Sequence, residues 1–367
     1  MFGESLSIYF HPVSSEAIPQ FLRLYNKGEK IADVGNDVQR MAYMDFVLIL
    51  GTALLLDVLL GDPGRLPHPV AGIGRVIGFW EACLYPGKVE RREGRRRGVL
   101  LCAAVLATTA ASVGLLLLGA SVAPEALFAV EVYLLYAALA WRSLKDETLP
   151  VAMALFRGDL DAARSALSRV VGRDTDVLDE AGMVRAAVET VAENSVDGVL
   201  SVLFFAALGY VAGGCVAAVL SVWTFKAVST LDSMVGYENE RYRDFGWASA
   251  RLDDILNFLP ARIGGLVAAL AGACLGYPLL QGLRILLRDR RKHRSPNSAH
   301  GESAFAGLLG IRLGGGGVYG GVLEERPWLG DAVRDPEPED ILRAHALLDA
   351  AVALFVLLAL LALHGLA

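Results

Sequence analysis

Six apolar blocks limit what this chain can fold into: Met44–Leu60, Gly98–Leu118, Ala126–Trp141, Val199–Val222, Ile263–Leu283 and Ala346–Leu366. Crossing a hydrocarbon core takes roughly 20 helical residues, and most of these blocks are near that length. Inside lipid, a backbone must satisfy its own hydrogen bonds, and runs this long do so as helices. The expected fold class is therefore all-α: a polytopic integral membrane protein with about five or six apolar helices and cytosolic amphipathic helices between them. The composition agrees, at 54% hydrophobic residues with a mean hydropathy of +0.45. A net charge of -6 argues against a nucleic-acid partner; the lipid bilayer is the expected one. The four cysteines are scattered without a CxxC and are expected to be free, buried thiols. Residues 1–43 lack an apolar core of signal-peptide type and are expected to be an N-terminal extension, leaving 44–367 as one membrane-embedded catalytic domain.

Between the fourth and fifth blocks lies a polar stretch, Thr224–Arg262. It carries Lys226, Asp232, Glu238, Glu240, Arg241, Arg243, Asp244, Arg251, Asp253, Asp254 and Arg262, interleaved with aromatic residues. Burying so many charges is costly unless they pair or bind something, so this stretch is a candidate site. The alternative reading is an ordinary solvated loop, although such loops are usually poorer in aromatics.

Other candidates lie along the chain. LGDPGRLPHP after the first block reads as a turn carrying Asp62 and His68, with the prolines excluding helix through Val70. Helical spacing begins at Leu160 with Asp159 or Asp161 as cap, is broken by GRDTD at 172–176, and resumes from about Val177 to Asn194. On this second helix Arg185, Glu189 and Glu193 share a stripe, with Asn194 and Asp197 beside its end. Such a face is either a solvated salt-bridge ladder or a Mg²⁺ site, the metal taking one or two carboxylates plus substrate phosphate. The glycines at 314–317, 320 and 321 read as a flexible loop, or as backbone able to cradle phosphate.

The basic clusters Lys88–Arg97 and Arg284–Arg294 place their loops in the cytoplasm by the positive-inside rule. Counting six spans then puts 224–262 outside, away from both. A re-entrant hairpin at Gly209 and Gly213–Gly214 would resolve the conflict, as would a polar cavity open to the cytosol.

Four motifs, DVLLGDPGRLPHPVAGIG (57–74), GRDT with RAAVETVAENSVDG (172–198), FKAVSTLDSMVGYENERYRDFGWASARLDDILNFLPAR (225–262) and SPNS (295–298) with AGLLGIRLGG (306–315), occur in this order. The chain thereby resembles the CbiB/CobD family of cobalamin biosynthesis, adenosylcobinamide-phosphate synthase. Where that family commonly has Gly and Pro after SPN, this chain has Ala299 and Gly301. The resemblance implies amidation of the f-side propionate of adenosylcobyric acid by (R)-1-aminopropan-2-ol or its O-phosphate, with ATP and Mg²⁺ expected. No Walker A sequence is present, so a nucleotide site would be of another kind. The residues expected to carry the chemistry are Lys226, Glu189 and Asp232. Those expected to bind substrate are Asn194, Tyr237, Asn239, Arg241, Arg251, Arg262, Asp62, His68, Ser295 and Asn297. Glu189, Glu193, Asp197 and Asp232 are the expected metal ligands. The expected location is the cell membrane, with the site reached from the cytoplasm. A homo-oligomer or other corrinoid-pathway enzymes are the expected protein partners. The competing readings are another Mg²⁺-dependent intramembrane transferase, or a transporter.

Overall fold

The computed structural model describes residues 31–62, 68–85, 87 and 90–366. Residues 1–30, the Pro63–Pro67 turn and Lys88 of the first basic cluster lie outside them. The chain is helical nearly throughout. In order come α1 (Ile31–Leu60), α2 (Pro69–Leu84), α3 (Arg91–Ala120), α4 (Pro124–Tyr136), α5 (Trp141–Phe156), α6 (Leu160–Leu167) and α7 (Glu180–Asn194). A π-helical turn, Ser195–Leu200, leads into α8 (Ser201–Val235), followed by α9 (Trp247–Leu256), α10 (Phe258–Cys274), α11 (Leu279–Asp289) and α12 (Ala299–Leu309). Two short antiparallel pairs follow, β1 (Leu313–Gly314) with β4 (Trp328–Leu329) and β2 (Gly317–Tyr319) with β3 (Val322–Glu324), before α13 (Glu339–His364). Among the described residues five helices are long and apolar enough to cross a membrane, or six if the bent pair α9–α10 counts as one.

Several boundaries differ from expectation. α1 starts at Ile31, so residues 31–43 continue the first apolar helix, and Tyr43 donates a hydrogen bond to the Leu360 carbonyl of α13. α2 starts at Pro69, earlier than the prolines suggested, because the first helical position needs no N–H donor; His68 caps it by accepting from the Val70 N–H. The fifth block is not one helix: Gly276, at φ 87°, and Pro278 separate α10 from α11. Cys83 and Cys274 are exposed rather than buried, and all four thiols are free.

The decisive feature is a reversal inside α8. The helical run Glu180–Val235 would be ~84 Å long if straight, far more than a bilayer requires. It is not straight. Gly213 and Gly214 leave helical geometry, Gly214 with φ 73°. A Cβ on Gly209 would lie 2.5 Å from the Ala217 carbonyl oxygen, so the two arms touch just beyond the turn. Further from it, Phe205 and Phe225 stack across the arms with centroids 4.8 Å apart. The fourth block is thus a hairpin whose two arms pack against each other.

The central stretch then meets both basic clusters. Arg91 and Arg95 of α3 lie 3.4 and 3.5 Å from Asp244, and Arg294 lies 2.7 Å from Glu238. Gly98 lets α3 approach the Phe245 carbonyl, where a Cβ would sit 2.0 Å from its oxygen. The hairpin brings 224–262 against both basic clusters, and this stretch is mostly helix rather than loop.

Candidate functional site

A cavity of about 250 Å³ lies beside the C-terminal half of α7 and takes in His293 of the second basic cluster. Glu189, Thr190, Glu193 and Asn194 form one wall, and Arg173 from the GRDT turn, His293 and Glu302 close it. The glycine-rich segment 313–329 roofs it through Gly314, Gly316, Tyr319 and Arg326. This roof is paired strand, not a flexible loop. Gly314 and Gly316 have φ 82° and 89°, and a Cβ on either would collide with a backbone oxygen at 2.4 or 2.2 Å. Asp289, fully buried, pins the roof to α11 by accepting from the Gly330 N–H at 2.8 Å while pairing with Arg288 and Lys292. Arg185 and Arg312 both pack over Trp328 of β4, so the first residue of the expected carboxylate stripe anchors the roof.

Glu189, only 6% exposed, is fully engaged. One carboxylate oxygen accepts from Arg173 at 2.5 Å and the other from the Gly314 N–H at 2.6 Å. Glu189 is therefore neither part of a solvated ladder nor an open ligand. Glu193 and Glu302 are different. Among the described residues neither makes an ion pair with Lys or Arg, and Glu302 is 4% exposed with His293 Nε2 at 3.5 Å. Burial, and then the neighbouring Glu193 and Glu189 carboxylates, hold Glu302 well above the ordinary carboxylate range. Burial and the Arg326 charge push His293 down to about 4.

A second group forms where the hairpin arms return. Asp197, on the π-helical turn, faces the like charges of Glu193, Asp253 and Asp232, and Asp232 faces Asp254. The SPNS turn closes this group: Ser295 donates to Asp254 Oδ1 at 3.1 Å and Asn297 to the Asp254 carbonyl at 2.8 Å. A third group joins the first motif to the third. The Lys226 charge is near enough to act on Asp62, which lies 3.5 Å from His68 Nε2. Burial pushes Asp62 up, but His68, Ser143 and Lys226 outweigh it and hold it below the ordinary carboxylate range.

The expected site residues thus fall into separate clusters. Glu189, Glu193 and Asn194 line the cavity; Asp197, Asp232, Ser295 and Asn297 form the second group; Lys226, Asp62 and His68 form the third. Among the described residues no three His, Cys, Asp or Glu side chains converge closely enough to hold a metal ion, so the four expected ligands do not make one preformed cage. Several others are structurally occupied. Asn239 caps a turn by accepting from the Arg241 and Tyr242 N–H groups, and Arg241 pairs with Glu81 over the Tyr85 ring. Arg251 pairs with Asp254 at 3.2 Å. Arg262 stacks on Phe258 and donates to Asn297. Tyr237 is exposed beside Tyr242. None of these residues lines the cavity. Sequence reasoning missed Glu302, Arg173, His293 and Arg326 as site residues. The available signal for Glu302 was a lone carboxylate in AHGESAFAGLL, a helix whose every residue is buried.

A match to the family described as CobD/Cbib protein covers residues 50–348. The chain belongs to the CobD/CbiB family. It is 49% identical to the cobalamin biosynthesis protein CobD of Pelobacter propionicus over 78% of this chain and 85% of that one. It is 44% identical to CobD of Klebsiella pneumoniae over 83% and 94%, and 43% identical to the cobalamin biosynthesis protein CbiB of Salmonella typhimurium over 86% and 96%. No solved structure matches. Membership in the CobD/CbiB family places the chain in cobalamin biosynthesis, and all three side-chain groups draw on the family-matched segment.

Proposed function

We propose that this CobD/CbiB protein joins the amine of (R)-1-aminopropan-2-ol, or its O-phosphate, to the f-side propionate of adenosylcobyric acid at the expense of ATP. The observation that carries the reading is the family match across 50–348. A carboxylate is a poor electrophile at neutral pH and must be activated. In this scheme the propionate attacks the terminal phosphorus of ATP, giving an acyl phosphate and ADP. The deprotonated amine then attacks the acyl carbon, and inorganic phosphate leaves.

Mg²⁺ suits the aspartate group better than the cavity. Asp197 and Asp232 accept no side-chain hydrogen bond or ion pair among the described residues, whereas both Glu189 oxygens are taken. Two carboxylates and substrate phosphate are a usual Mg²⁺ set, and the metal would neutralise phosphate charge there. Lys226, beside Asp62, is assigned to the transferring phosphoryl group as a compact point charge. The face bearing the site is taken as cytoplasmic because it carries both basic clusters, with the cell membrane as the location.

The test is amide formation by the purified protein in detergent with cobyric acid, aminopropanol phosphate and MgATP. The proposal expects product only when all three are present. A folded, corrinoid-retaining protein that makes none under any combination contradicts it. Lys226→Ala is expected to lower kcat by more than it changes KM, since its charge would act on the transition state.

A further inference from the structure

The cavity under the glycine roof is too small for the largest substrate. Pockets for drug-sized ligands run to roughly 300–1,000 Å³, and this one is about 250 Å³. A corrin ring does not fit, and a nucleoside triphosphate would fill it only with its phosphates. Glu193 and Glu302 stand without a cationic partner, because Arg173 is spent on Glu189. The roof side carries Arg326, half-exposed, held over the Tyr319 ring and 3.7 Å from the Glu324 carboxylate, with Gly314 and Gly316 also lining the cavity. Two carboxylates without a Lys or Arg partner favour a cation, and the loosely paired guanidinium of Arg326 near them favours an anion.

We infer that this cavity is the binding pocket for a short amino-alcohol phosphate, with its ammonium between Glu193 and Glu302 and its phosphate at Arg326. This rests on the amidation reading and assigns its small substrate to a place. It also moves the phosphate contact away from Arg251 and Arg262, which are committed to Asp254 and Asn297 outside the cavity. Glu302 sits on α12 directly after the SPNS turn, so the pocket adjoins the aspartate group through Asn194, Asp197 and the start of α12.

The experiment is calorimetric binding of three probes to the full chain in detergent: 1-aminopropan-2-ol O-phosphate, the unphosphorylated amine, and inorganic phosphate. Wild type, Glu302→Gln and Arg326→Ala are compared, each checked for retention of the red chromophore of cobyric acid. The amine phosphate should bind wild type more tightly than either fragment. Glu302→Gln should weaken the amine and the amine phosphate by about tenfold and leave phosphate alone. Arg326→Ala should weaken the amine phosphate and phosphate by about tenfold and leave the amine alone. The pocket is refuted if wild type binds no amine phosphate, if both variants bind all three probes as wild type does, or if MgATP displaces the amine phosphate competitively. A chain that shows the expected pattern but forms no amide refutes the amidation reading and keeps the pocket. Amide formation with unchanged amine KM in both variants does the reverse.

Discussion

At the residue scale, the site is an uneven distribution of charge. Glu189 is neutralised, whereas Glu302 is buried without a cation and costs stability at neutral pH. Its pKa is raised in the folded state, so the folded chain holds a proton that the unfolded chain has released. Stability attributable to it is present below the unfolded carboxylate value and is lost as pH rises above it. Glu302→Gln, which removes that loss, should raise the melting temperature at pH 7 and narrow the difference near pH 4.5; an equal difference at both pH values would show that Glu302 is ionised in the fold. Asp289 behaves oppositely. Burial raises it, but hydrogen bonds from Arg288, Lys292 and the Gly330 N–H prevail and bring it to about 2. Its contribution is present above the ordinary carboxylate value and is lost as pH falls through about 2. Asp289→Asn should destabilise by about 2 kcal/mol, a moderate figure because Arg288 and Lys292 are partly solvated. The variant should also loosen the roof, read as faster hydrogen exchange at Gly330. Glu189 was legible from its helical spacing. Its true partner, Arg173, was not, because that contact crosses the turn between α6 and α7, and no local periodicity reports it.

At the element scale, the hairpin was half legible. Gly209, Gly213 and Gly214 marked a break in the fourth block, but whether the chain reversed there depended on small residues meeting across the turn. Gly209→Val would force its side chain into the Ala217 carbonyl and the Ser221 side chain. It is expected to cost about 1–3 kcal/mol and to lower the yield of folded protein; a variant as stable as wild type would mean the arms are further apart. The roof was read as flexible because a glycine run carries no pairing signal of its own. Its register comes from buried Leu313 and Leu329 on the two facing strands, and its attachment from Asp289, far away in sequence. Arg326 escaped notice for the same reason, as a charged residue in what looked like surface loop.

At the scale of the whole molecule, the class of fold followed from the apolar blocks, and the number of crossing helices agrees with them. Counting blocks as single crossings failed, since one block is a hairpin and another is two short helices. With that correction, the central stretch, both basic clusters and the cavity share one face. The direct measurement is labelling by a membrane-impermeant thiol reagent in right-side-out and inverted vesicles, with Cys83 and Cys274 replaced by serine. Single cysteines would stand at Arg92, Glu238 and Val122, the last highly exposed between α3 and α4. The account predicts that Arg92→Cys and Glu238→Cys label from one side and Val122→Cys from the other. Labelling of Glu238→Cys from the side of Val122→Cys would contradict it.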